Sequence, residues 1–166
     1  MAETLGVEVD QDDRVTELLD SMIEQLDASV VWRPGAVELL KDLDRAGVSC
    51  AMVTMSYRRL STVVADRLPD LFRVLVCGTV VRHGQPAPDP YMQAVELLGV
   101  AAANCVAIEG APTGVEAAEA AGCRVLACPS MVPIPTGPKR TVVGSLTALM
   151  LAAAGVASCR VVCGSR

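Results

Sequence analysis

Four short stretches dominated by apolar residues, Val48 to Thr54, Arg73 to Cys77, Cys105 to Ile108 and Cys123 to Cys128, are spaced so that a helix fits between each and the next. A strand that is apolar at nearly every position, not at alternate ones, is covered on both faces, which is the condition of a parallel strand inside an α/β sheet. The intervening segments read as helices: Tyr57 to Leu68, ended by Pro69; Tyr91 to Leu98, after the loop Gly84 to Pro90; and the Ala-rich Pro112 to Ala121, closed by Gly122. Repeated β-α units of this length predict an α/β fold with a right-handed, doubly wound parallel sheet. In such sheets the ligand site lies at the carboxyl ends of the strands.

Upstream, Asp12 or Asp13 caps a helix whose Val15, Leu18, Leu19, Met22, Ile23 and Leu26 form one apolar stripe. Pro34-Gly35 opens a second helix with Ala36, Leu39, Leu40 and Leu43 inward, stopped by Gly47. Downstream, Pro129, Pro133, Pro135 and Pro138 stiffen a surface loop, and a short strand at Thr141 to Val143 and a helix from Ser145 follow. With 166 residues the chain is expected to be one domain long enough for a sizeable core, and at 52% hydrophobic and only 2% aromatic that core must be built from Val, Leu, Ala and Met. So few aromatics argue against a nucleic-acid stacking surface. A net charge of −5 and a pI near 4.8 argue against a nonspecific nucleic-acid or anionic-membrane binder. Met1 to Val30 holds nine acids against one Arg, so the remainder is net basic. That split suits an acidic appendage on a phosphate-handling body, and equally a solvated acidic helix.

Of the seven cysteines, Cys50, Cys77, Cys105 and Cys128 sit in apolar runs and are expected to behave as small buried hydrophobes. No C-x-x-C pair points to zinc, and Cys159-x-x-x-Cys163 is a weak metal or redox candidate. The acidic N-terminus does not read as a signal peptide and no run is long enough to span a bilayer, so a cytoplasmic location is expected.

Three segments carry a family resemblance. Cys105 to Gly122, CVAIEGAPTGVEAAEAAG, resembles the fourth motif of the haloacid dehalogenase (HAD) superfamily of phosphohydrolases, a strand followed by E-D-S-x-x-G. Val48 to Ser56 resembles the second motif, a strand ending in Thr or Ser. Gly84 to Tyr91, GQPAPDPY, resembles the third, G-K-P-x-P-x-x-Y/F. The resemblance implies that Thr54, with the backbone of Met55 and Ser56, meets a phosphoryl oxygen, that position 85 supplies a cation, and that position 110 supplies a magnesium ligand. Here those last two positions hold Gln85 and Gly110, with Ala111 following and Gly78-Thr79 where the family often has Gly-Asp. Gln85 keeps length without charge and so loses the charge-assisted hydrogen bond. Glu109 is left as the metal candidate, and the Mg2+ that the family implies is expected to be held weakly.

The family's first motif, D-x-D-G-T/S after a strand, supplies the attacking carboxylate, the proton shuttle and metal ligands. Asp10-Gln11-Asp12 contains D-x-D at a compatible distance before Thr54, but Leu5 to Val9 is a poor strand and Asp13-Arg14 replaces the family's Gly-Thr. The stretch resembles more closely the far end of the helical cap in phosphoglucomutase-like members, just before the W-x-P-G seen at Trp32 to Gly35. On that reading residues 1–31 are a cap remnant, 32–155 a HAD-like Rossmannoid core without its first strand, and 156–166 a tail. The missing strand would leave two open edges, to be closed by direct pairing, by Val156 to Cys163, by Leu5 to Val9 or by a partner chain. The expected function is that of a degenerate, truncated HAD-like domain, a pseudoenzyme descended from a Mg2+-dependent phosphatase or mutase of small phosphorylated metabolites. The alternatives are a phosphatase using Asp10 and Asp12, and a fragment completed by another chain. His83 is expected to be exposed, and Arg58 and Arg59 to form surface ion pairs.

Overall fold

A computed structural model describes residues 11–148 and 160–165, with the backbone path alone at 11, 148 and 160–165. Helix α1 (Gln11–Ala28) leads through the turn at 29–35 into α2 (Ala36–Arg45). The alternation then runs β1 (Cys50–Thr54), α3 (Arg58–Asp66), β2 (Val74–Val76), α4 (Asp89–Leu98), β3 (Cys105–Glu109), α5 (Pro112–Ala120) and β4 (Arg124–Ala127). Strands β5 (Arg140–Val142) and β6 (Arg160–Ser165) complete a six-stranded sheet in the order β2-β1-β6-β3-β4-β5. Its ladders are all parallel. The expected doubly wound α/β architecture is therefore present. One local expectation needs correction. The strand at Thr141 begins one residue earlier, because Arg140 is already paired opposite Val125. From Ser145 the described residues form a 3-10 turn at Leu146–Ala148, with Ser145 Oγ accepting from the Thr147 N–H at 3.1 Å, and the rest of the expected helix lies outside the described residues.

Side chains of β1 alternate between two cores. Ala51 and Val53 join Tyr91, Ala94, Val115, Ala117 and Ala118 on the α4/α5 face. Cys50 joins Leu39, Leu40, Leu43 and Leu146 on the α2 face, with Phe72 and Ile108 packed against them. Full burial of all five β1 residues matches the unbroken apolar run that predicted it. The Ala-rich α5 works for a related reason: with Ala117 and Ala118 over Ala107 and Ala127, all fully buried, small residues let helix and sheet approach closely without aromatics. Cys50, Cys77, Cys105, Cys123 and Cys128 are all buried thiols outside any disulfide. Burial, with the Asp44 carboxylate adding to it, pushes the Cys50 thiol up to about 12, so it is an inert hydrophobe.

The open slot is filled from the far end of the chain. β6 pairs on one side with β1, Cys50 to Thr54 opposite Val161 to Ser165, and on the other with β3, Cys105 to Ile108 opposite Arg160 to Cys163. Of the four closures considered, the C-terminal one is found; Leu5 to Val9 and Cys159 lie outside the described residues. α1 packs on α3, where Arg59 donates to Asp20 at 2.6 Å and Arg67 to Asp27 at 2.9 Å. Arg59 thus forms the surface ion pair expected of it. No helix among the described residues is long and apolar enough to cross a membrane.

Two measurements check this arrangement. Val162→Pro removes a backbone donor from the central strand between Ala51 and Ala107, and is expected to cost about 3 kcal/mol or more in urea unfolding. A change under about 0.5 kcal/mol, as at an ordinary surface site, would show that β6 is not part of the stable sheet. At the opposite edge, Arg140 of β5 donates from Nε to Glu119 Oε1 of α5 at 2.7 Å, and from Nη2 to Oε2. This fork, the Arg140 hydrogen bond first, holds the Glu119 carboxyl below its ordinary value. A depressed folded-state value stabilises above the unfolded value and is lost as pH falls through the folded one. Wild type should therefore lose more stability than Glu119→Gln as the pH is lowered from 5 through the acid range.

Candidate functional site

The carboxyl ends of β1 and β3 carry the residues that the sequence singled out. Thr54 is buried at the last position of β1, and its Oγ1 accepts the N–H of Ser56 at 3.1 Å, closing the turn that leads into α3. Met55 Sδ accepts the N–H of Gln85 at 3.4 Å, which ties this turn to the Gly84–Gln85 loop. Ser56 O accepts from Gly78 N at 3.2 Å, and a Cβ at Gly78 would overlap the Met55 carbonyl. The glycine at 78 is thus required by the close approach of two strand-end turns. These contacts bring Thr54, Met55, Ser56 and Gln85 together as one rim. Gln85 is half-buried, and its backbone, not its amide, makes the contact.

Glu109 ends β3, separated from β1 by β6, which places it about 10 Å across the sheet edge from Thr54. Its carboxylate is turned away from the rim, toward the α4/α5 face. Tyr91 of α4 donates its phenol to Oε1, and the Gly110 and Ala111 N–H groups point at Oε2 from 3.0 and 3.4 Å. A methyl at position 114 would overlap the same carboxylate, so the glycine of the Thr113-Gly114 pair makes room for it. Glu109 therefore acts as a buried brace between β3, α4 and the start of α5. Asp12 lies in the first turn of α1. The α1 residues lining the cavity described next begin at Met22, ten residues and about 15 Å further along the helix. The fold does not bring Asp12 to the strand ends. Asp10 lies outside the described residues.

A cavity of about 660 Å³ opens at this edge, bounded by the end of α1, the 29–33 turn, α2, α3 and the sheet. Thr54, Ser56, Glu109 and Gly110 line it; Met55 and Gln85 are not among its described lining residues. One group there carried no sequence signal. Arg33, the variable residue of the Trp32-to-Gly35 string, directs Nη1 to Cys128 O at 2.9 Å. Its Nη2 donates to Pro129 O at 3.1 Å and lies 3.3 Å from Cys128 Sγ. Nη1 lies 3.0 Å from where a Cβ at Gly110 would stand. A guanidinium thus occupies the neighbourhood in which the fourth-motif resemblance calls for an acid. Ser130 closes the same corner, its Oγ donating to Gly110 O at 3.1 Å. The absence of a side chain at Gly110 leaves room for this close approach of Arg33, and a single sequence does not reveal that.

Two further residues fall outside the site. His83 is exposed, as expected, with Nδ1 2.9 Å from Asp89 Oδ1. That contact, the hydrogen bond first, lowers the Asp89 carboxyl from its ordinary value. Among the described residues, no cluster of three or more His, Cys, Asp or Glu is arranged to hold a metal ion.

A family model described as haloacid dehalogenase-like hydrolase matches residues 3–122. Hexitol phosphatase A of Escherichia coli is 41% identical over 98 residues, which cover 57% of this chain and 44% of that protein. Protein CbbY of Rhodobacter capsulatus is 33% identical over 102 residues, 58% of this chain and 45% of its own length. The chain thus spans less than half the length of these curated relatives. Among solved structures, CbbY from Rhodobacter sphaeroides in complex with phosphate superposes with a TM-score of 0.77 at 22% identity, covering 86% of this chain and 67% of that one.

The Glu109 brace has a direct check. Tyr91→Phe keeps the ring in its fully buried place and removes one donor from a buried carboxylate, so urea unfolding should lose about 1.5–3 kcal/mol. A neutral result would mean that the two backbone N–H groups suffice to hold Glu109.

Proposed function

The chain belongs to the haloacid dehalogenase-like hydrolase family, on its phosphoglucomutase-like branch, and we propose that it is a catalytically silent member. The family's activity is phosphomonoester hydrolysis or mutase transfer with Mg2+. The observation that carries the proposal is the corner where Gly110 meets Arg33. A divalent cation needs oxygen donors of negative charge. At this corner position 110 offers no side chain, a guanidinium stands beside it, and the Glu109 oxygens face Tyr91 and backbone N–H groups. These residues do not fit Mg2+.

Two further features support the reading. Gln85 supplies no cation to a transferring phosphoryl group, and Asp12, half of the D-x-D pair, sits in a helix away from the strand ends. What the rim retains is a scaffold for binding: Thr54, Ser56 and the backbone of the β1–α3 turn. On this reading the partner is another copy of this chain or a completing chain, a small phosphorylated metabolite being the partner if the chain is active, and the chain works in the cytoplasm. α1 then belongs to a helical cap, and α2 to β5 to the core. The completed-fragment alternative requires a D-x-D strand from another chain to displace β6, which already pairs through parallel ladders on both sides of the central slot.

The purified chain should release phosphate from generic phosphomonoesters at no more than the rate without protein, with or without Mg2+. Gln85→Lys combined with Gly110→Asp should not raise that rate, because neither supplies an attacking carboxylate. Turnover that Asp10→Asn abolishes would overturn silence and install the phosphatase alternative. Turnover that appears only when a peptide ending in D-x-D-G-T is added would install the completed-fragment reading.

A further inference from the structure

We propose that the cavity beneath α1 binds an amphipathic anion, a linear aliphatic chain bearing one carboxylate or phosphate head, with Arg33 as the headgroup partner. The proposal concerns binding alone and holds whether or not the chain turns over a phosphomonoester. The cavity walls are mostly apolar: Leu26 from α1, Trp32 from the turn, Leu40 from α2, Met52 from β1, Val64 from α3 and Phe72 beyond it all line the 660 Å³ space. That volume is in the range of sites that enclose small organic ligands. A ligand with hydroxyls all round would leave them without partners against these walls, at a cost for each. An aliphatic chain would not.

Gln25, Ser29 and Ser61 line the helical side, and the charged corner lies at the strand ends. Thr54, Ser56, Gly110 and Ser130 line the cavity at the strand-end edge, together with Arg33. Three contacts to Cys128 and Pro129 hold the guanidinium in place, and all three are with neutral atoms. Among the described residues Arg33 forms no ion pair. The other ionisable group lining the cavity, Glu109, has its carboxylate on Tyr91 and backbone N–H groups. The corner therefore presents a fixed positive charge with N–H donors beyond those already used, at the end of an apolar space. A planar fork of this kind suits a carboxylate or a phosphate oxygen pair.

Trp32, the only tryptophan in the chain, lines the cavity and reports on its occupancy. Fluorescence titration of the full chain in a metal chelator compares octanoate, octyl phosphate, octan-1-ol and inorganic phosphate. Octanoate should shift the Trp32 emission saturably and bind at least about tenfold more tightly than octan-1-ol, the value expected of one charge-assisted contact. Arg33→Gln should bring octanoate down to the level of octan-1-ol, and Arg33→Lys should keep the preference in weakened form. Val64→Phe should weaken both ligands by filling the apolar end. If octyl phosphate binds more tightly than octanoate, the natural head is a phosphomonoester; the reverse order makes it a carboxylate. Equal affinity for octanoate and octan-1-ol, no saturable change with either, or displacement of octanoate by an equal concentration of inorganic phosphate overturns the proposal. So does an Arg33→Gln protein that keeps the preference. Should that variant prove unfolded by circular dichroism, the wild-type comparison and Arg33→Lys decide alone.

Discussion

The sheet is continuous only because β6 stands between β1 and β3. Neither of those strands pairs with the other; each gives its inner edge to β6, and β2 hangs from one side while β4 and β5 hang from the other. A parallel strand covered on both faces has nowhere to hydrate its N–H and C=O groups, so an empty slot would leave two rows of them unpaired beside an apolar core. Filling the slot fixes the spacing between Thr54 and Glu109, and with it the width of the site. Everything at the carboxyl edge is measured from that distance.

The site is organised by where charge is allowed to sit. Glu109, a carboxylate at the strand end, is braced inward by a phenol and two backbone N–H groups, which offset the cost of burying it. Outward, at the next residue, the absence of a side chain admits the Arg33 guanidinium. The corner that family resemblance would make negative and metal-binding is positive instead. On the proposed reading, a cation beside the cavity and an apolar interior suit an anion with an apolar body.

The helical layer that closes the cavity is held more loosely than the core. α1 meets α3 through apolar residues such as Leu19 and through two exposed ion pairs, Arg59 with Asp20 and Arg67 with Asp27. Exposed pairs contribute little each and weaken with salt, whereas the cores on either face of the sheet are closed by fully buried side chains. Access to the cavity therefore depends on the weaker of the two kinds of contact.

The sequence by itself determined the alternation of strands and helices. The unbroken apolar run ending at Thr54 and the Gly122 that closes the Ala-rich helix are local signals, set by hydrophobic pattern and backbone freedom and readable without any neighbour. It also determined which positions stand at the strand ends, Thr54, Glu109 and Gly110, and that Gln85 lies in the loop before α4. It did not determine what those positions meet. That β6 fills the slot, that Tyr91 takes one side of Glu109, and that Arg33 reaches the empty place at Gly110 from 77 positions away in the chain were decided by tertiary packing. Contacts between segments so far apart depend on how the sheet is ordered and how wide its slots are, and local pattern carries no record of either.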